Sequence, residues 1–362
     1  MSYYILPKNN NIIIVDPSNG VNSIEPIISL TIKSYYYQMI DQIKLMCNNV
    51  SDLSYNNLEN LMKFIHSYEF IFSKVPGSKF SVSKLKQKSN TFYDFFEILN
   101  TLNILECFKN QSINTLHICK NYEESIECIE IVRENICDKN FFYKNFCDDV
   151  FQEITERKID FIYMESNDNN FNNYLLNLIQ CVMIILKCSS KNSSAIIKID
   201  YTFHKPAIDI IYLLCSLFDK VYIMKPNSNN IAIFEKYIIC KGFLYDDSKT
   251  ENYKINYYKL LVFLKKLDKN NIISIISKDL PYYFLNKLDD INIILGQQQL
   301  ESLDQIVNIL KNKNKDDKIE SIKKNNIQKS VSWCEKYKIP CNKFTERTNM
   351  FLPINNVINK EC

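Results

Sequence analysis

Between residues 115 and 243 short runs of Ile, Val and Tyr alternate with longer amphipathic stretches. The runs are "TLHIC" (115–119), "IDFIYM" (159–164), "AIIKI" (195–199), "KVYIMK" (220–225) and "KYIICKGF" (236–243). The stretches at 123–135, 171–188 and 205–218 carry apolar residues at helical spacing. β-Branched and aromatic runs of this length read as strands, and helical stretches between them require crossover connections, hence a mostly parallel, doubly wound sheet. The last two runs are joined only by "PNSNNIAIFE". That is too short for a helical crossover, so the final strand is expected to run antiparallel to its neighbour.

The flanks read differently. Residues 1–84 form a mostly helical extension, 85–245 the α/β core, and 246–362 a helical, lysine-rich region. In the first part "NIIIVD" reads as a strand and "TIKSYYYQMIDQIKLMCNNV" as a helix. "DLSYNNLENLMKFIHSYEFIF" reads as a second helix capped by Asp52 or Ser54. "VPGSKFSVSKLKQKSN" is a basic linker, and "TFYDFFEILNTLNIL" is helical. Near the C-terminus 311–329 reads as a solvated, partly disordered stretch. "SVSWCEKYKIPCNKF" (330–344), with Trp333, reads as a short docking helix ended before Pro340.

Hydrophobic content of 46% and charged content of 23% over 362 residues suffice for a substantial core. No apolar run is read as reaching the roughly 18 to 20 residues of a membrane span, and no signal peptide is read at the N-terminus. The 13 cysteines form no CxxC and there are 3 histidines, so no metal site is expected. Reduced thiols point to a reducing, cytoplasmic setting. With 44 basic and 41 acidic residues the net charge is +3, which neither demands nor excludes a nucleic-acid partner. The abundance of Asn, Lys, Ile and Tyr, with only 4 glycines, suggests an AT-rich genome such as that of a large DNA virus or a protozoan. A viral origin would imply the virus factory or the virion.

The segment "FDKVYIMKPNSNNIAIFEKYIICKGF" (218–243) resembles the end of the core of FtsJ-like RNA 2′-O-methyltransferases. There a strand ends in Lys-Pro and the last strand opens on Glu-Lys-Tyr. "AIIKID" is similar to the strand carrying that family's catalytic lysine, and "IDFIYMES" to the one ending in its catalytic aspartate. "HICKNYEESIECI" falls at the cofactor loop, "SNTFYDFFEIL" at the upstream helix, and "SVSWCEKYKIP" at the C-terminal segment of cap-type members. The resemblance spans roughly 85–345. It implies a Rossmann-like class I methyltransferase core with an antiparallel last strand, S-adenosylmethionine (SAM) as cofactor, and RNA, capped mRNA in particular, as substrate. It also implies partners within a capping or transcription complex, and no membrane.

The family's Lys-Asp-Lys-Glu tetrad falls on Asp94, Glu165, Lys198 and Glu235. Two positive and two negative charges have become one positive and three negative, which disfavours phosphates and a developing alkoxide. Lys84, Lys86 and Lys88 stand close to Asp94 as alternative counterparts of the first lysine. The resemblance implies cofactor contacts at Cys119, Asn121, Tyr122 and either Asp148 or Asp149, and substrate contacts at Lys225 and Asn229, with Asn227 beside them. The loop "KNYEES" lacks the glycines that let backbone approach a cofactor, and there is no glycine between Gly77 and Gly242. Two readings follow: an active 2′-O-methyltransferase, or an inactive homologue that has lost SAM and serves as an RNA-binding or scaffold subunit. His117, inside an apolar run, reads as a core histidine.

Overall fold

A computed structural model describes residues 2–342 apart from 22–23, 49–56, 88, 135, 147–150, 152–157, 245–249, 268–270 and 312–315. Strands β3 (Asn114–Ile118), β4 (Lys139–Tyr143), β5 (Ile159–Glu165) and β6 (Ser189–Ile199) are parallel neighbours. β8 (Lys236–Phe243) lies between β6 and β7 (Phe218–Lys225) and is antiparallel to both. β1 (Ser2–Ile5) adds an antiparallel edge to β7. The order is β1-β7-β8-β6-β5-β3-β4. This is the Rossmann-like class I methyltransferase arrangement expected from the sequence, including the antiparallel last strand. β2 (Ser18–Gly20) pairs separately with β9 (Asn271–Ser274).

Alternation along the strands fills two cores. On β5, Ile162 and Met164 face one side, while Phe161 and Tyr163 face the other. The first side is covered by α5 (Phe171–Cys188) and α6 (Lys205–Leu217), with α7 (Thr250–Lys266) packed outside α5. The second is covered by α3 (Thr91–Leu102), α4 (Tyr122–Val132) and the end of α9 (Asp316–Lys336). A third cluster joins α1 (Leu30–Asn48), α2 (Leu58–Ile65) and α8 (Tyr282–Lys311) to Phe203, Ala232 and Phe234 beside the β7–β8 loop. α1 and α8 cross closely at Gly296, where a Cβ would lie 2.2 Å from Ile32 Cγ2.

The structure corrects several expectations. "NIIIVD" is no strand: its backbone is held by Asn256, which accepts from Val15 N, and by Ile275 O, which accepts from Asp16 N. β1 and β4 are strands that the pattern did not mark. α2 is capped by Asn57, whose side chain accepts from Glu59 N; Asp52 and Ser54 lie outside the described residues. Residues 316–336 form one helix carrying Trp333 near its end, not a solvated stretch followed by a short helix. The 18 residues of α5 are long and apolar enough to cross a membrane by length and composition. Here Leu175, Leu178, Ile179 and Val182 are buried in the core under the sheet.

Asp209 on α6 is fully buried and fastens the segment before α8. It accepts from Ile275 N (2.9 Å), Ile276 N (3.0 Å) and Lys205 Nζ (3.0 Å). Asp209→Ala leaves two amides without their acceptor, each costing about 1–3 kcal/mol when buried. Chemical denaturation should therefore show a loss of about 2–6 kcal/mol. A variant as stable as the parent would remove Asp209 from this role.

Candidate functional site

In a doubly wound sheet the strand order reverses at one point, and the crevice there, at the carboxyl ends of the strands, binds ligands. In this chain the reversal lies between β3, which leads to β4 on one side, and β5 on the other. A cavity of about 670 Å³ opens at that point. Its wall is made by the residues that follow each strand: Cys119 and Lys120 after β3, Asn145 and Phe146 after β4, Asn167 and Asp168 after β5, Asp200 and Tyr201 after β6. Ile118, Glu165 and Glu235 also line it. The volume is that of a small-molecule site.

The sheet register places the charged residues. Glu165 pairs with Lys198 across β5–β6, and Lys198 with Tyr237 across β6–β8. Because β8 is antiparallel, its first residues stand beside the end of β6, and Lys198 Nζ lies 3.1 Å from Glu235 Oε1. Tyr163 OH donates to Glu165 Oε1 at 2.9 Å. Burial would lower the Lys198 pKa. Glu235, Glu165 and Asp94 more than reverse this and hold it above its ordinary value. Lys198 is therefore an ammonium at neutral pH, able to donate hydrogen bonds and unable to accept a proton.

Asp94, fully buried on α3, accepts from Ser228 Oγ (2.6 Å), Asn229 Nδ2 (2.8 Å) and Tyr237 OH (3.1 Å). Asn229 Nδ2 also donates to Glu235 Oε1 at 2.7 Å, so one amide bridges two members of the expected tetrad. Burial, then the charge of Glu235, push the Asp94 carboxyl up to about 7 against the pull of its donors. Asp200, also at the cavity, is pushed up to about 6 by burial and Glu235. The other three tetrad positions thus meet around Lys198.

Other expected residues fall elsewhere. Lys225 does not face outward toward a substrate. Its buried ammonium donates to Asn229 Oδ1 (2.7 Å), Ile233 O (2.8 Å) and Glu235 O (2.6 Å), and burial lowers its pKa to about 7. Asn229 is 1% exposed and likewise committed internally. Lys84 and Lys86 are exposed, and Lys88 lies outside the described residues. Cys119 lines the cavity, where burial raises its thiol pKa. Asn121 and Tyr122 do not line it: Tyr122 stacks on Phe142 of β4, with centroids 4.3 Å apart and planes 9° from parallel. Glu124 is turned to Ser89. Asp148 and Asp149 lie outside the described residues. His117 is a satisfied core residue between Ser125 (2.8 Å) and Thr115 (3.0 Å), its pKa lowered to about 3 by burial.

The glycine-free turn also finds an explanation. The positive-φ residues of the described chain do not include any between Cys119 and Glu124, and Asn121 has φ −105°. The backbone passes from β3 to α4 without a conformation that requires glycine. Of the cavity residues missed in the sequence, Lys120, Asn167 and Tyr201 share one signal, their position just past an expected strand, whereas Asn145 and Phe146 follow β4, which the pattern did not mark. Ser228 and Tyr237 had none, since their link to Asp94 is purely tertiary.

No family model matches the chain. It is similar to cap-specific mRNA (nucleoside-2′-O-)-methyltransferase 1 of Drosophila melanogaster, with 29% identity over 135 residues. The match covers 35% of this chain and 17% of that protein. The protein of the same name from Leishmania braziliensis is 24% identical over 127 residues, covering 34% of this chain and 31% of that one. The matches thus span well under half of these relatives. Among solved structures it is similar to Haemonchus contortus phosphoethanolamine N-methyltransferase 2 in complex with SAM (11% identity, 42% of this chain and 38% of that one, TM-score 0.28). It is also similar to human methyltransferase-like protein 13 in complex with S-adenosylhomocysteine (8%, 48% and 93%, TM-score 0.27). The fold assignment rests on the strand order itself.

The Asp94 assignment has a pH consequence. An aspartate with an ordinary pKa of 3.8 is raised to about 7 in the fold. Between these limits the folded chain holds a proton that the unfolded chain has released, so this group's contribution to stability falls as pH rises through the window. Asp94→Asn removes that contribution. The melting temperature of the variant should decline less than that of the parent between these two pH values. Parallel curves would show that Asp94 is ionised throughout.

Proposed function

We propose that the chain is a SAM-dependent methyltransferase acting on an RNA ribose 2′-hydroxyl, in the region of the mRNA cap. The observation that carries this reading is the Lys198–Glu235 pair, flanked by Glu165, with both carboxylates on the wall of a cavity at the sheet's switch point. The similarity to two cap-specific 2′-O-methyltransferases supports the substrate class.

The cavity residues fit the cofactor. The space is ample, Tyr122 is stacked out of it, Phe146 and Ile118 offer apolar surface, and Lys120 offers a cation for a carboxylate. When bound, SAM supplies a methyl group activated on a sulfonium. The chain's part is to hold the acceptor. The Lys198 ammonium donates to the ribose oxygen and stabilises negative charge growing on it. The adjacent Glu165 carboxylate takes the hydroxyl proton. Glu235 and Asn229 keep the ammonium aimed, since a displacement of about 1 Å costs roughly a hundredfold in rate. A proton on Asp94 would leave one ammonium facing two carboxylates rather than three.

A second reading, an inactive scaffold or RNA-binding subunit of a capping or transcription complex, is favoured by one observation. A buried carboxylate occupies the position where the resemblance implies a lysine.

Calorimetric titration with SAM and S-adenosylhomocysteine, followed by methyl transfer to a capped RNA oligonucleotide, tests both. Micromolar cofactor binding and transfer are expected. Lys198→Ala should retain cofactor binding and lose transfer by roughly a hundredfold or more. Absence of binding at millimolar cofactor would overturn the enzyme reading and favour the second.

A further inference from the structure

The loop between β7 and β8 holds Asn229 and leads into Glu235, so its position sets the geometry around Lys198. Two lysines fix the loop's carbonyls from within. Lys225 Nζ donates to Ile233 O and Glu235 O, and Lys236 Nζ donates to Phe234 O (3.2 Å) and, outside the loop, to Asp200 O (2.7 Å). The amides at the other end of the loop are held by an anion. Glu97, fully buried one helical turn beyond Asp94 on α3, accepts from Asn227 N at 3.0 Å and Ser228 N at 3.2 Å. The next residue is Asn229, the bridge between Asp94 and Glu235.

Glu97 has a third donor from a distant part of the chain. Trp333 Nε1, near the end of α9, donates to Glu97 Oε2 at 2.7 Å. This indole is 3% exposed and is the chain's single tryptophan. It packs on Tyr93 (5.9 Å between centroids) and Tyr337 (4.7 Å). The residues that follow it are tied to the linker before α3 by Lys84 N to Pro340 O and Asn342 N to Val82 O, both 2.8 Å. Among the described residues the hydrogen-bond partners of Glu97 are neutral N–H groups, not cations. A buried carboxylate satisfied in this way depends on each donor.

We infer that Glu97 and Trp333 are positioning residues for the methyl-transfer site, through which the C-terminal helix sets the β7–β8 loop and with it Glu235 and Lys198. The catalytic part of this inference rests on the function proposed above. The structural part stands apart from it: α9 acts on the loop through one carboxylate, and neither Glu97 nor Trp333 lines the cavity.

Two conservative variants test it. Trp333→Phe keeps the ring packing and removes the donor. Glu97→Gln keeps the shape and turns an NH₂ toward a donor. Amide hydrogen exchange is measured at Asn227 and Ser228, with β6 amides as the internal reference. In both variants the two loop amides should exchange about tenfold faster or more while β6 is unchanged, the signature of local opening. Unchanged loop amides in both variants would overturn the inference. So would equal acceleration of loop and β6, which marks general destabilisation. In the transfer assay kcat should fall about tenfold or more with the KM for SAM unchanged. A full kcat in variants with fast-exchanging loop amides would overturn the positioning role. If the parent chain transfers no methyl group, the proposed function fails, and the exchange measurement still decides whether α9 holds the loop.

Discussion

One ammonium among three carboxylates governs the site. A buried charge is tolerable only when it is paired and hydrogen-bonded, and the fold meets that condition through strand direction. β6 delivers Lys198 at its carboxyl end, and β8, inserted antiparallel beside it, begins at the same end immediately after Glu235. A parallel β8 would bring its first residues to the opposite end of β6. The antiparallel last strand is therefore what makes the ion pair available. The same constraint explains the loop before β8, whose turns leave carbonyls facing inward and whose two buried lysines satisfy them.

Glycine scarcity shaped the chain without emptying the site. With 4 glycines in 362 residues, left-handed backbone positions fall to other residues. Asn103 at the end of α3 (φ 46°), Asn110 (φ 69°) and Asn192 (φ 61°) take that conformation. Asparagine is the residue that bears it at least cost after glycine. The β3–α4 turn solves the problem by avoiding it, since its backbone never enters that region. Reading loss of function from the missing glycines alone confuses a preference for close backbone approach with a requirement of the turn.

What was legible in the sequence was what has a period. β3, β5, β6, β7 and β8 follow from β-branched runs, and the short β7–β8 connection carries the antiparallel direction. "NIIIVD" misled because its apolar residues Ile13 and Val15 join the core while its amides go singly to the Asn256 side chain and to Ile275 O, forming no strand ladder. β1, of 4 residues, becomes a strand only by adding to β7. The tetrad positions came from a resemblance, not from any local pattern. Their polar partners lay beyond reach of either: Ser228 and Tyr237 meet Asp94 across separations of 134 and 143 residues. Trp333 and Glu97 are 236 apart.

Asp94 now reads differently from a simple loss. Lys225 Nζ donates to the Asn229 oxygen, which therefore faces it. That turns the Asn229 NH₂ toward Asp94 and Glu235, and both must then present acceptors. Ser228 and Tyr237 add two further hydroxyls at the same place. A lysine at position 94 would bring an ammonium against an amide donor that cannot turn away without abandoning Lys225. Asp94, Asn229 and Lys225 thus form one matched set, in which the second lysine near the site enters from β7 rather than from α3. The charge around Lys198 is set by that network as a whole, in which the carboxyl at 94 is the acceptor that Ser228, Asn229 and Tyr237 require.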